Sequence, residues 1–245
     1  EHLAHCGMLS EQTLVRRKGD SVTEPRQARA EATRRRIINA AIELFADLGY
    51  GEIGLAEIVK RADVTKGAFY YHFASKEALA SVIIEESSAS ATAAFLGVTS
   101  PTAPALENII QGMFAVARLM ASDVAANTGR QLAQALSQIS GTGAQSIGDW
   151  TAMFVAEVER AISQGDVCDD VDPAEAGEAI WVAMLGTHLL SNALGDDIDA
   201  RLVKVWRVLL RAIVPAESRT YFLEFVKRAS VRPSPSHREL TLTAQ

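Results

Sequence analysis

"VTKGAFYYHFASKEAL", Val64 to Leu79, sets a lysine and a glycine at the head of barely two helical turns. It then packs in four aromatic rings and restarts at "SKEAL". A helix that short is not stable alone in water. Its apolar positions, Ala68, Phe69 and Phe73, must therefore dock on something larger, which turns Thr65, Lys66, Tyr70 and Tyr71 outward. Thr65 and Ser75 each stand immediately before a helical pattern, where a hydroxyl can accept a backbone N–H of the first turn. Gly67 costs about 1 kcal/mol of helix propensity relative to alanine. That cost is offset if its bare backbone comes close to DNA or to a neighbouring helix.

The partners lie upstream. "LAEIVKRA", residues 55–62, carries Leu55, Ile58, Val59 and Ala62 on one stripe, and Asp63 with Val64 makes a tight turn into the aromatic segment. Before it, Ala28 to Leu48 reads as a long helix with Ile37, Ala41, Leu44, Phe45 and Leu48 on one face and Gly49 placed to end it. Two short helices braced by a longer one form a helix-turn-helix, whose second helix lies in the major groove of DNA. Lys76 opens the next helix, where a cation opposes the macrodipole unless it reaches an anion. A phosphate is such an anion, and Lys66, Tyr70, His72 and Lys76 together would clamp one.

Charge supports that placement. The 245 residues carry a net charge of −6, but residues 16–82 hold 12 Lys/Arg against 9 Asp/Glu. That leaves 12 against 21 for the rest, so a locally basic head joins an acidic body. Arg34 to Arg36 read as a solvated helix face or as backbone contacts, and Arg16, Arg17 and Lys18 as a tail or a minor-groove arm. Cys6 and Cys168 are the only cysteines, which argues against a disulfide framework and suits a cytoplasmic protein. The opening residues lack the apolar middle and cleavage site of a secretory signal. The run "AIWVAMLGTHLL" is too short for a bilayer, so no membrane association is expected.

Helical spacing continues to the end without an alternating stretch long enough for a strand, so the fold class is all-α. The fourth helix runs from Ser75 to about Phe95 and stops at "GVTSPTAP". Further helices are expected over Ala105 to Ala121, Val124 to Ile139, Asp149 to Ser163, Pro173 to Leu194, Ala200 to Ile213 and Ala216 to Ala229. "GTGAQSIG", "GDVCDDVD" and "GDDID" read as loops between them. The expected organisation is a flexible arm over 1–27, a DNA-binding head over 28–76, a larger helical body over 77–230 and a loose tail over 231–245.

The segment "LAEIVKRADVTKGAFYYHFASKEAL" resembles the DNA-binding segment of the TetR family of bacterial one-component repressors. There the motif ends in V-[ST]-K-G-x-[FLI]-Y-x-H-F-x-[SK]-K-E-x-L. The match covers about Ala28 to Leu79 and departs at Gly54, where the family often caps the second helix with Ser or Thr. The resemblance implies DNA contacts from Thr65, Lys66, Gly67, Tyr70, Tyr71, His72 and Lys76, and a helical ligand chamber and dimer platform in the body.

"GDWTAMFVAEVERAISQGDV", "DVDPAEAGEAIWVAMLGTHLLSNAL" and "VKVWRVLLRAIVP" resemble the γ-butyrolactone autoregulator receptors of actinobacteria. In that branch a tryptophan stacks on the ligand and a Gly-Thr pair sits in the long eighth helix. Trp150 and the pair Gly186, Thr187 fall on those places, while a position often Gln in that branch is Ser87. The resemblance implies a ligand site built from Trp150 and Thr187, with Phe114, Met120, Met153, Phe154, Trp181 and Met184 as candidate lining. An alkyl lactone needs such an apolar chamber with one flat surface and a donor or two.

A single helix-turn-helix reads few bases, so a homodimer on a palindromic operator is expected, with two recognition helices about 34–36 Å apart. Leu189, Leu190, Ala193, Leu202, Val205, Trp206 and Leu209 are the candidate interface. The inducer stays open between a γ-butyrolactone, another hydrophobic compound and none. An enzyme or a helical interaction protein is the remaining alternative, although no HExxH, CxxC pair or glycine-rich phosphate loop is present. No cofactor is expected, and His2, His5 and Cys6 form only a weak metal cluster at a terminus.

Overall fold

The computed structural model describes residues 23–137 and 141–231. The described residues form ten α-helices and no strand: α1 (Thr23–Leu48), α2 (Leu55–Arg61), α3 (Lys66–His72), α4 (Lys76–Leu96), α5 (Ala105–Ser122), α6 (Val124–Leu136), α7 (Gly141–Ser163), α8 (Pro173–Leu194), α9 (Ile198–Ile213) and α10 (Arg219–Ser230). Arg16 to Lys18, the His2, His5 and Cys6 cluster, and the tail beyond Val231 lie outside the described residues.

The punctuation works as its chemistry demands. Gly49 adopts φ +83 and donates its N–H to Phe45 O at 3.0 Å, ending α1. Asp63 takes φ +51, a conformation that Asp and Asn tolerate better than most residues. Its N–H and that of Val64 return to Lys60 O and Val59 O, which closes the turn between α2 and α3. The Thr65 and Ser75 hydroxyls accept from Ala68 N and Ala78 N, each at 3.1 Å.

Two boundaries differ most from expectation, while the end of α6 and the starts of α9 and α10 shift by two or three residues. Helix α1 starts at Thr23, ahead of the expected Ala28, and the supposed loop "GTGAQSIG" is the beginning of α7. Gly143 explains the second: a Cβ there would fall 2.7 Å from Ala133 O and 3.2 Å from Ser137 N, at the end of α6. Close helix packing, not a turn, selects that glycine.

Two cores hold the molecule. The first gathers Ile37, Ile38, Phe45, Ile58, Phe69 and Phe73 of α1 to α3 with Leu79, Ile83 and Ile84 of α4 and Leu132, Ala133 and Leu136 of α6. The second joins Ala91 and Phe95 of α4 and Ala126 of α6 to α5 and α7 through α10. Helices α4 and α6 thus have one end in each core. They cross very closely: a Cβ on Gly129 would sit 2.2 Å from Ser87 Cβ, and Ser87 Oγ donates to Ala126 O at 2.6 Å. By length and composition alone α4 would suit a bilayer. Instead α1, α5, α6 and α7 pack around it. At the far end Arg118 of α5 bridges Asp199 of α9 at 3.1 Å and donates to Ala229 O of α10 at 2.7 Å.

Candidate functional site

Helix α3 buries Phe69 completely and Phe73 nearly so, and holds Thr65, Lys66, Gly67, Tyr70 and Tyr71 on its exposed side. Tyr71 is 79% exposed and Tyr70 49%. The Lys66 ammonium stands 5.9 Å from the Tyr70 ring centroid, so cation and ring form one surface. His72 is half-buried, edge-on to Tyr71 at 4.9 Å. A Cβ on Gly67 would meet nothing closer than Thr65 Oγ1 at 3.9 Å. No neighbouring helix explains that glycine.

Lys76 requires a correction. Its ammonium does not project away from α4 but donates to Tyr50 O at 3.1 Å and Ile53 O at 2.9 Å. It also lies 3.9 Å from the Tyr50 ring centroid. The unfavourable macrodipole position is compensated by two carbonyls and a π face within the protein, tying α4 to the loop between α1 and α2. Tyr50 completes the clasp by donating to Glu77 at 3.1 Å. Burial, then the Glu77 charge, pushes its hydroxyl up to about 12. The Glu77 carboxyl is held down, first by its backbone N–H and then by the Ser75 hydroxyl. Arg34 and Arg35 are likewise engaged, both with Glu86 of α4, Arg35 at 2.7 Å. Gly54 caps α2 with no side-chain hydrogen bond.

A cavity of about 290 Å³ opens between α4, α5, α6, α7 and α8. Trp150, Trp181 and Met184 line it, as does Met120. Trp150 and Trp181 stack with centroids 5.6 Å apart and planes 9° from parallel, forming one flat wall. Ser87, whose hydroxyl is spent on Ala126 O, also lines it.

Four expected lining residues are elsewhere. Thr187 is buried and donates its hydroxyl to Ala183 O at 2.7 Å, one turn back along its own helix. The wall at that point is Gly186 and His188. Phe154 supports the tryptophans from behind, 6.1 Å from Trp150 and 6.0 Å from Trp181. Met153 packs against the body core, and Phe114 turns to a separate groove beside Arg118 and Phe225.

The sequence reading missed Arg130 and His188. Arg130 is the only charged residue within Val124–Leu136 and lies four residues after Ala126 and three before Ala133, both buried. That lone charge on an apolar stripe was the available signal.

The candidate interface divides in the same way. Leu189 and Leu190 are exposed, as is Ala193, while Val205 and Leu209 are half-buried. Leu202 and Trp206 are fully buried in the protomer's own core and cannot meet a partner. Along α9 the most regular apolar stripe, Ile198, Leu202, Trp206, Leu210 and Ile213, faces inward. The exposed apolar side chains of α8 and α9 are Val182, Leu189, Leu190, Leu194 and Val208.

Residues 37–83 match the family of bacterial regulatory proteins described as tetR, and residues 103–215 match the tetracyclin repressor-like C-terminal domain. The A-factor receptor protein of Streptomyces griseus is 33% identical over 77% of this chain, an alignment that spans 66% of that relative, just under two thirds of its length. A crystal structure of a gamma-butyrolactone receptor, an ArpA-like protein, superposes with TM-score 0.69 at 30% identity, covering 83% of this chain and 98% of the other. The TetR family protein CprB of Streptomyces coelicolor, in complex with its operator sequence, superposes with TM-score 0.69 at 31% identity over 82% and 98%. With both domains matched and an exposed recognition helix in place, the chain belongs to the TetR family of bacterial regulatory proteins and is similar to its γ-butyrolactone receptors.

Proposed function

We propose that the protein is a ligand-responsive, dimeric transcriptional repressor, not an enzyme. In this reading α3 and its two-fold mate hold a palindromic operator in the cytoplasm, and a small hydrophobic inducer of the γ-butyrolactone type releases them. Thr65, Lys66, Gly67, Tyr70, Tyr71 and His72 face the DNA, with Lys76 bracing the head from within. No cofactor and no membrane take part.

The observation that carries the reading is the position of the cavity. Its walls include Ile84 of α4 and Ala133 of α6, and both residues also belong to the core of the DNA-binding head. A ligand that spreads α4 from α6 therefore acts directly on the packing that orients α3. Only a difference in ligand affinity between the two arrangements shifts them. A coupling of about 1–3 kcal/mol, usual for allosteric pairs, would weaken operator binding about 5- to 150-fold. The exposed apolar side chains on α8 and α9 support the dimer, since a two-fold pairing of these helices would remove them from water.

The test is a mobility shift on a palindromic fragment from the gene's own upstream region. Wild type shifts it, and Lys66→Ala or Tyr70→Phe weakens the shift while thermal unfolding is unchanged. An alkyl γ-butyrolactone such as γ-decalactone releases wild type, and Trp150→Ala binds the fragment but resists release. Unchanged binding by both α3 variants would refute the DNA reading. Persistent binding at saturating lactone would refute this inducer class.

A further inference from the structure

The cavity wall is mostly apolar, with Ser87, Ser88, Gln134, Ser146 and His188 as its neutral polar residues. Among the described residues that line it, Arg130 is the single permanent cation and none is Asp or Glu. One edge of the guanidinium donates to Asn127 Oδ1 at 3.0 Å, but its Nε is buried without a hydrogen-bond partner. The indole Nε1 of Trp181 and the imidazole Nε2 of His188, both on the same wall, are buried and unpartnered as well. His188 is 2% exposed. Its pKa is driven down to about 4, by burial first and then by the Arg130 charge, so it is neutral. Burial also lowers that of Arg130. Three buried nitrogens without a hydrogen-bond partner, all on residues that line the cavity, cost stability unless something accepts from them.

The chemistry of the acceptor follows. A neutral lactone carbonyl takes one or two hydrogen bonds but leaves the guanidinium charge uncompensated. A carboxylate satisfies charge and donors together, because its two oxygens match the fork of an arginine. We infer that the cavity takes its ligand as an anion: a hydrophobic monocarboxylate whose head is held by Arg130, with Trp181 and His188 as further donors. Its alkyl portion then lies among Ile84, Val116, Met120 and Met184, with Trp150 beside it. The inference rests on reading this cavity as the inducer site and changes the preferred head group from a neutral lactone to a carboxylate. The member nearest to a γ-butyrolactone is its ring-opened γ-hydroxy acid.

The stacked Trp150 and Trp181 supply a direct readout, quenching of intrinsic tryptophan fluorescence. The probes are γ-decalactone and its ring-opened hydroxy acid, which share one carbon skeleton and differ in the head group alone. The hydroxy acid should bind wild type about tenfold tighter or more, as expected for charge-assisted hydrogen bonds. Arg130→Gln should abolish that preference, and Arg130→Lys should keep part of it. A lactone bound as tightly as the acid, an unchanged ratio in Arg130→Gln, or no quenching by either probe would overturn the inference. Should Arg130→Gln fail to fold, the wild-type ratio decides alone. A parallel operator shift separates the two readings: acid binding without DNA release sinks the regulatory one, and lactone-driven release without acid preference sinks this one.

Discussion

Gly67 occupies the first turn of α3 with open space where its Cβ would be. Alanine there should raise stability by roughly 0.5–1 kcal/mol, the usual helix difference between the two residues. If the bare backbone is needed against DNA, Gly67→Ala should melt higher yet bind the operator more weakly, measured by thermal unfolding and mobility shift on one preparation. Equal or tighter DNA binding would leave the glycine without a role. His188 yields a second prediction. Unfolded it titrates near 6.5, and folded near 4. Between those values the unfolded chain binds a proton that the native chain excludes, so its contribution to stability is complete above about pH 6.5 and falls as pH drops towards 4. The full span is roughly 3 kcal/mol. Urea unfolding at about pH 7.5 and about pH 5 should show the loss, and His188→Gln should flatten it. The exposed face of α3 was legible in the sequence because docking Ala68, Phe69 and Phe73 leaves no other side for Lys66 and Tyr70. Lys76 and Thr187 were not, because the carbonyls that engage them come from the folded backbone.

At the scale of elements, α4 and α6 matter most. Gly129 lets them touch, and the opposing atoms include Ile83 O at 2.7 Å from a would-be Cβ. A backbone carbonyl cannot step aside as a side chain can. Gly129→Ala should therefore cost about 1–3 kcal/mol, the range for overpacking, and should reduce operator affinity with no change on the DNA face. Chemical denaturation and mobility shift read the two effects, and a neutral substitution would mean that this crossing does not position the head. Helix identities were readable from apolar spacing throughout, and Pro173 to Leu194 agrees end to end. The glycines around Gly143 were misread since a glycine chosen for close packing looks like one chosen for a turn. The register of α9 was misread for a related reason: its strongest apolar stripe serves its own core, and the weaker one bearing Val208 is left outside.

At the scale of the whole molecule, the proposed function depends on a second copy. Val208 is 67% exposed on α9 and is not among the residues lining the cavity beside Trp150. Val208→Glu should convert a dimer into a folded monomer that no longer shifts the operator, as light scattering and mobility shift would record. A fully dimeric Val208→Glu would move the interface elsewhere. The central claim joins that symmetry to the cavity, and one distance reports on both. With Cys6 and Cys168 replaced by serine, the exposed Ala74 just after α3 can be exchanged for a spin-labelled cysteine. Pulsed dipolar spectroscopy on the operator complex should give a separation near the one-turn spacing of about 34–36 Å. Saturation with ring-opened γ-decalactone should then shift that separation to a different value as the DNA leaves. Absence of any intermolecular distance, or one unmoved by the saturating probe while the DNA dissociates, would contradict the account.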